Sequence, residues 1–253
     1  MEPMDQFTFV VADSDDLKNA IFRLRYQVYV EEFGFEKPED HPGGFEVDEY
    51  EPYSIHFAAL NEKHEVIGTA RLVLTSAKGF PLEHAAKTTF IGERPPEDHI
   101  GEISRLAVSK YYRRRVEDGF YGVESYLVKS EGGILPDHGP IPEEMQRRKR
   151  PAIILGLFRQ VYHTSIRHGI SHLYLITELK LFHLLKRYGF LFRQIGEPVH
   201  YHGIRIPYLG SIPEMEKTLL QTKPEVLKLM LMGLEEEYWP DALRLIAKDE
   251  AVK

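Results

Sequence analysis

Residues 102–115 read EISRLAVSKYYRRR, a short apolar run between an acid–arginine pair and a block of arginines. An apolar run of this length indicates a buried strand. The strand opens on Glu102 and Arg105, whose spacing of three places them on opposite faces of a regular strand. A charged side chain in such a strand must be paired or must reach a cleft, because burying it alone is prohibitively costly. The stretch therefore indicates either an ion-pair network that stabilises the sheet or a binding site, and both readings stay open.

The composition excludes several classes of protein. The chain has 253 residues, of which 43% are hydrophobic, and a net charge of -7, so it can form a packed core and is not a general nucleic-acid binder. It has no cysteine, which excludes disulfides, thiolate metal sites and a cysteine nucleophile. We see neither a signal-peptide pattern nor an apolar run near the roughly 20 residues of a membrane span. We expect a cytoplasmic protein without an integral membrane segment.

The hydrophobic periods predict alternating strands and helices along the chain. Ser14 or Asp13 is a candidate N-cap and Gly34 a candidate stop for the first helix, and a Pro- and acid-rich loop follows. A short helix is expected near 82–87 and an amphipathic helix over 224–239. The predicted strands are 7–12, 54–61, 65–75, 102–109 and 171–177, with two more or a hairpin in 192–212, and the other helices are 151–169 and 179–190. This order predicts one mixed-sheet α/β domain over 1–223, with 116–150 as a partly mobile insertion and 224–253 as a helix packed on it or extending it.

Four motifs follow one another in the first half of the chain. They are RYQVYVEEFGF with Arg25, Tyr29 and Phe35, FEVDEYE with Glu46, Asp48 and Glu51, GTARL with Arg71, and EISRLAV with Glu102, Ser104 and Arg105. In this order they resemble the signature of the acyl-homoserine-lactone autoinducer synthases. The order of elements is similar to that of GNAT-type acyltransferases, which implies an α/β (α+β) fold with a mixed, mostly antiparallel sheet flanked by helices.

The chain also departs from the synthase signature. Tyr29, Phe35 and Glu51 stand where the synthases have Phe, Trp and Asp, and the tryptophan and the acids are features that the family links to S-adenosylmethionine. The second half, especially IGEPVHYHGIRIPYLG, is similar to the N-acyl amino acid synthases and to the acyltransferases associated with PEP-CTERM/exosortase systems. That resemblance implies transfer of a long acyl chain from acyl carrier protein to the amine of an amino acid.

The basic turn after the central strand differs from the ordinary GNAT pattern. GNAT enzymes carry a glycine-rich loop there for the pyrophosphate of coenzyme A, whereas this chain reads SKYYRRRVEDG. We expect Arg113, Arg114 and Arg115 to receive the single phosphate of a carrier's pantetheine arm or the acidic surface of the carrier. A solvated basic turn is the alternative, and it is the preferred reading of the second basic run at 147–150.

The resemblance implies roles for the motif residues. Glu102 is the candidate base for the amine, acting through a water, and the backbone N–H groups of Leu106, Ala107 and Val108 are the candidate oxyanion site. Arg71 and Arg105 either hold the carboxylate of the acceptor or lock the acidic loop around Asp48. Arg25, Tyr29, Phe35, Glu46, Asp48 and Ser104 are the candidate substrate-binding residues, with an ion-pair cluster as the equal alternative for Arg25, Glu46 and Asp48.

Other polar residues receive structural interpretations. His200 and His202 lie on one face of a predicted strand, but no third ligand accompanies them, so we expect no metal site. Glu178, which follows a predicted strand, is interpreted as a helix N-cap, with approach to the site as the alternative.

Three functions remain. The first is N-acyl amino acid synthesis from acyl carrier protein or acyl-CoA, without a tightly bound cofactor. The second is an autoinducer synthase that uses S-adenosylmethionine, and the third is a non-catalytic acyl-carrier or lipid-binding module.

Overall fold

The computed structural model describes residues 6–112 and 149–244. The predictions for Arg113, Arg114 and Arg115, and almost all of those for 116–150, therefore fall outside the described residues. The strands are β1 Thr8–Val11, β2 Ser54–Leu60, β3 Val66–Val73, β4 Ile100–Val108, β5 His172–Thr177, β6 Arg193–Gln194, β7 Val199–His200 and β8 Ile204–Ser211. The helices are α1 Asp15–Tyr26, α2 Pro81–Ala85, α3 Lys149–Arg167, α4 Leu179–Arg187, α5 Ile212–Thr222 and α6 Pro224–Leu231.

The strands form one mixed sheet in the order β1-β2-β3-β4-β5-β8-β6, and β7 pairs with β8. Within this part of the chain β4 and β5 pair in parallel and the other neighbours pair antiparallel. The predicted mixed, mostly antiparallel sheet flanked by helices is confirmed.

The first helix begins and ends as its sequence predicts. Ser14 caps α1 by accepting a hydrogen bond from the backbone N–H of Leu17 at 3.3 Å, and the acids of the first turn complement the helix dipole. The chain continues as a π-helix, Gln27–Glu32, before Gly34 turns it away with a φ of 60°. This extension places Tyr29 beside β4, where its hydroxyl donates to the carbonyl of Leu106 at 3.0 Å.

The C-terminal part differs from the prediction. Helix α5 was missed, residues 192–212 hold three strands, and the helix predicted over 224–239 ends at Leu231. Just beyond that end Gly233 adopts a φ of 83°, a left-handed conformation that cannot continue a helix. The apolar side of α6 is buried in the main core through Val226, Leu227, Met230 and Leu231.

The two faces of the sheet carry different layers. The main apolar core packs α3, α5 and α6 on one face, which we call the helical face, and includes Ile103, Val108 and Leu175. A smaller cluster on the other face packs α2 against Ile100 and Tyr174, and the loop of residues 36–53 covers part of that face, which we call the loop face. Among the described helices none has the length and apolar character to cross a membrane.

Candidate active site

A β-bulge in β4 sets the geometry of the site. Arg71 pairs with Ser104 and Thr69 pairs with Ala107, so that Arg105 and Leu106 together stand opposite one residue of β3. Arg105 adopts a φ of 48°, in the left-handed region. The extra residue turns the Arg105 side chain to the loop face, where Arg71 also lies. The expectation that Glu102 and Arg105 occupy opposite faces is therefore wrong, because it assumed a regular strand.

Beyond the bulge, β4 and β5 separate and leave a cleft. Their parallel pairing covers only Ile100–Ile103 against His172–Leu175. The cleft, with about 1060 Å³ of empty space including its open mouth, is lined by residues of both strands, by the π-helix and by the β7–β8 turn. On the helical face its walls are apolar, through Ile103, Ile154, Leu175 and Leu181. On the loop face they are charged, through Glu102, Arg105, Glu178 and Arg205.

The backbone of β4 faces this cleft at alternate residues beyond the bulge. The N–H of Ser109 donates to the carbonyl of Ile67 in β3 at 2.8 Å. Because an antiparallel ladder alternates, the backbone groups of Ala107 also point to β3, and those of Leu106 and Val108 point to the cleft. Three residues were predicted to form the oxyanion site. The backbone groups of Leu106 and Val108 face the cleft, and those of Ala107 do not.

Three arginines and three carboxylates of the motifs form one buried network. Arg71 binds Asp48 at 2.6 Å and Glu51 at 3.0 Å. Arg105 binds Glu46 at 3.0 Å and Asp48 at 3.0 Å. Arg25 binds Glu51 at 2.8 Å and also binds Glu46. Each arginine bridges at least two acids of the loop, and this is the ion-pair cluster that the sequence offered as one alternative.

The network shifts the pKa values of its acids. Burial acts to raise the pKa of Asp48, but the hydrogen bond and charge of Arg71 and the charge of Arg105 hold it well below its usual range. Burial opposes the shift at Glu51 too, yet a hydrogen bond from His56 and the charges of Arg25 and Arg71 lower its pKa to about 2. His56, which binds Glu51 at 2.8 Å, was not among the predicted residues. Both acids are therefore ionised at neutral pH and act as fixed charges.

Ser104 and Glu102 lie beside the network. Ser104 accepts a hydrogen bond from Nε of Arg71 at 2.9 Å, which orients that guanidinium. Glu102 is fully buried, lines the cleft and accepts a hydrogen bond from the backbone N–H of Leu82 at 2.8 Å through Oε2. Oε1 has no partner among the described residues. Burial raises the pKa of Glu102 to about 8, and the Leu82 N–H and the two nearby arginines offset only part of that effect.

An aromatic stack closes the cleft on the loop face. Phe35 stacks on His202 with ring centroids 5.3 Å apart, and Nε2 of His202 lies 3.2 Å from Glu36. Burial raises the pKa of Tyr29 to about 12, so its hydroxyl keeps its proton and its bond to Leu106. The sequence predicted Phe35 and Tyr29 at this site but missed Glu36.

The segment HYHGIR contributes Tyr201, His202 and Arg205 to the lining of the cleft. His202 lies in the β7–β8 turn with a φ of 52° and not on a regular strand, so it does not share a strand face with His200. Arg205 lines the cleft at the start of β8. The sequence singled out this segment by its resemblance but assigned no role to Arg205. Glu178 occupies the N-cap position of α4 as predicted, but its side chain makes no capping hydrogen bond and lines the cleft.

Comparison with known proteins identifies the same fold. The family model of the acetyltransferase (GNAT) domain matches residues 24–118. The acyl-homoserine-lactone synthase of Aeromonas hydrophila is 22% identical over 182 residues, 72% of each chain. That of Pseudomonas chlororaphis is 35% identical over 98 residues, 37% of this chain and 48% of that one. The second match thus spans about half of the relative's length.

Solved structures of related enzymes superpose on this chain and have the same fold. The AHL synthase LasI superposes with a TM-score of 0.55 at 16% identity, over 86% of this chain and 95% of LasI. BjaI, a CoA-dependent acyl-homoserine lactone synthase, superposes with a TM-score of 0.55 at 19% identity, over 89% of this chain and 87% of BjaI. FeeM, an N-acyl amino acid synthase from uncultured soil microbes, superposes with a TM-score of 0.50 at 16% identity, over 86% of this chain and 97% of FeeM. The chain is a GNAT-fold acyltransferase, and the predicted resemblance to both groups of synthases is confirmed.

Proposed function

We propose that the chain is an N-acyltransferase that moves a long acyl chain from an acyl carrier protein thioester to the amine of an amino acid or a similar small acceptor. One observation carries the proposal: the cleft between β4 and β5 is apolar on the helical face and charged on the loop face. An acyl chain fits the apolar walls and a zwitterionic acceptor fits the charged ones. The two substrates then meet at the backbone of β4, where the amine attacks the thioester directly and no covalent enzyme intermediate is needed. A C–N bond forms, the C–S bond breaks, and the carrier's thiolate leaves and takes up the proton that the amine gave to the base.

Glu102 is the proposed base. An α-amino group has a pKa near 8, and the pKa of Glu102 is raised to about 8. Proton transfer between groups of matched pKa costs little free energy, so the buried carboxylate removes the amine's proton far better than an exposed glutamate would. Because Glu102 must first lose its own proton, kcat/KM should rise with pH up to about 8.

The tetrahedral oxyanion needs donors that are already in place. The N–H groups of Leu106 and Val108, which the strand alternation turns to the cleft, are the proposed donors. The π-helix supports them through the hydrogen bond from Tyr29 to the Leu106 carbonyl. In this proposal Arg71, Arg105 and their acids hold the loop of residues 36–53 over the acceptor.

A second candidate is an acyl-homoserine-lactone synthase, because the curated relatives that match the sequence carry that name. An acyl-CoA donor in place of the carrier protein is a further alternative, since BjaI is CoA-dependent. Docking of the carrier on Arg113, Arg114 and Arg115, and a cytoplasmic location, stay predictions.

The test is to identify the product. Purified protein is incubated with palmitoyl-acyl carrier protein or palmitoyl-CoA and with either the twenty amino acids or S-adenosylmethionine, and the extract is analysed by mass spectrometry. An N-acyl amino acid supports the proposal, and an acyl-homoserine lactone as the sole product overturns it. Glu102→Gln should lower the rate about 100-fold or more while the protein stays folded. Glu62→Gln, in the exposed β2–β3 turn, is the matched control and should retain full activity.

A further inference from the structure

The arginines of the ion-pair network are unsuited to hold the acceptor's carboxylate. Arg71 and Arg105 each bind two carboxylates of the chain itself, at distances of 2.6 to 3.0 Å. An acceptor carboxylate at either guanidinium would meet the negative charge of Asp48, whose pKa those arginines hold well below its usual range. A cation of the cleft without such carboxylate partners is therefore better suited to receive the acceptor.

Arg205 stands at the position where such a cation is needed. Thr177 pairs with Ile206 across β5 and β8, so the next pair in register sets Arg205 opposite Glu178. This level lies three residues beyond Leu175, the last residue of β5 that pairs with β4. Cross-strand partners share a face. The side chain of Ile206 is buried in the core of the helical face, and that of Arg205 consequently lies on the loop face and lines the cleft.

The charge of Arg205 is not neutralised by a close partner in the described part of the chain. No carboxylate described there lies within 4.0 Å of its guanidinium. Within the described residues the Arg205 guanidinium donates one hydrogen bond, from Nη1 to the carbonyl of Ile204 at 3.3 Å. A guanidinium has five N–H donors. Burial lowers the pKa of Arg205, and the charge of Glu178 opposes this effect from a longer distance. A partly desolvated guanidinium with unused donors is a site for an anion.

The guanidinium is also held in place by aromatic rings. It lies over the ring of Phe35, 5.8 Å from the centroid. Phe35 in turn stacks on His202, which Glu36 holds at 3.2 Å. Such a support fixes the direction of the guanidinium and reduces the entropy lost when a ligand binds.

We propose that Arg205 binds the carboxylate of the acceptor and so positions its α-amine at the point where β4 and β5 separate. Arginine suits this role because its planar fork binds a carboxylate through two parallel hydrogen bonds. A single carbon joins the carboxylate to the amine in an α-amino acid, so fixing one group restricts the other to a small volume of the cleft that Glu102 also lines. This inference rests on the proposed function and names the chemistry that selects its acceptor.

The experiment compares acceptors with and without a carboxylate. KM and kcat are measured for the amino acid that the wild-type enzyme acylates fastest and for the amine that its decarboxylation gives. The same pair of constants is measured for S-adenosylmethionine and for its decarboxylated form. Arg205→Met should raise KM for the carboxylate-bearing acceptor about 10- to 100-fold and leave KM for the decarboxylated amine and for the acyl donor unchanged. Arg205→Lys keeps the charge but not the fork and should recover part of the loss.

Arg193→Met is the matched control. Arg193 lies on β6 next to β8, its side chain is 69% exposed, and it pairs with Glu214 at 2.8 Å outside the cleft. It should leave every constant unchanged, and thermal unfolding of each variant verifies its fold.

The outcomes separate this inference from the proposed function. If the wild-type enzyme acylates amino acids but a folded Arg205→Met variant keeps the wild-type preference for the carboxylate-bearing acceptor, the role of Arg205 is refuted and the function stands. If only S-adenosylmethionine is acylated and the variant loses the preference for its carboxylate, the proposed function fails and the role of Arg205 is retained. If neither kind of acceptor is acylated, both are refuted.

Discussion

Glu102 should make the protein less stable as the pH rises, and Glu102→Gln should remove that loss. The carboxyl has a pKa of about 8 in the folded protein, against an ordinary value of 4.5 when the chain unfolds. Between these two values the folded state keeps the proton and the unfolded state releases it. The free energy of unfolding therefore falls by about 1.4 kcal/mol for each pH unit in this window and is constant above it. Over the whole window the loss amounts to about 5 kcal/mol.

Glutamine is the appropriate substitution because its amide oxygen still accepts the hydrogen bond from Leu82 and its side chain does not titrate. Urea unfolding of the wild type and of Glu102→Gln is followed at pH values from about 5.5 to 8.5. The difference between the two free energies of unfolding should shift in favour of the variant by about 3 kcal/mol between pH 5.5 and 7.5. Titration of the histidines, which both proteins share, cancels in this difference.

Glu62→Gln again provides the control, since Glu62 is exposed in the β2–β3 turn and its replacement should produce no pH-dependent difference. A difference between wild type and Glu102→Gln that stays constant over the range would show that Glu102 ionises normally in the folded protein. That result would also remove the matched pKa on which its role as the base depends.

Three further predictions concern the network and its support. Arg71→Met leaves Asp48 and Glu51 without a shared partner and should cost about 3–5 kcal/mol in urea unfolding, and a loss below about 1 kcal/mol would contradict the network's structural role. Because the pKa of Glu51 is lowered to about 2, the stability that Glu51 contributes is complete above its ordinary pKa of 4.5 and is lost as the pH falls toward 2. The melting temperature of Glu51→Gln should therefore fall less steeply than that of the wild type as the pH is lowered from 4.5 to 2. Parallel curves of melting temperature against pH for the two proteins would refute this. Tyr29→Phe removes the bond to the Leu106 carbonyl and should cost about 1 kcal/mol together with a several-fold drop in kcat, whereas unchanged kcat would separate that bond from catalysis.

Local patterns predicted the elements well where the pattern was long. The cap at Ser14 and the stop at Gly34 marked the first helix because capping and left-handed φ are properties of single residues and their neighbours. The C-terminal region was predicted less well. Helix α5 begins at Ile212 directly after β8. Ser211 as its cap and Pro213 in its first turn are local signals for this start, which the prediction did not use.

The motifs predicted which residues would meet but not how they would meet. Arg25, Glu46, Asp48, Arg71 and Arg105 all lie in one cluster, which was one of the two alternatives that the sequence left open for them. Whether those arginines would bind a substrate or the chain's own acids depended on distances between a strand and a loop. Sequence spacing does not contain these distances, because they result from the packing of the loop on the sheet.

The sequence by itself determined the order of strands and helices as far as α4, the class of fold and the residues of the charged motifs, because these depend on periodicity and on residue type. The tertiary structure decided the direction of Arg105. Its left-handed backbone in the bulge of β4 turns the side chain to the loop face, whereas a regular strand would have placed it on the helical face. The tertiary structure also decided the availability of Arg205, because the register of β8 on β5 and the stack of Phe35 on His202 bring together segments that are distant in the chain. The burial that raises the pKa of Glu102 is likewise a property of the packed molecule, since a carboxyl is desolvated only when the surrounding layers close over it.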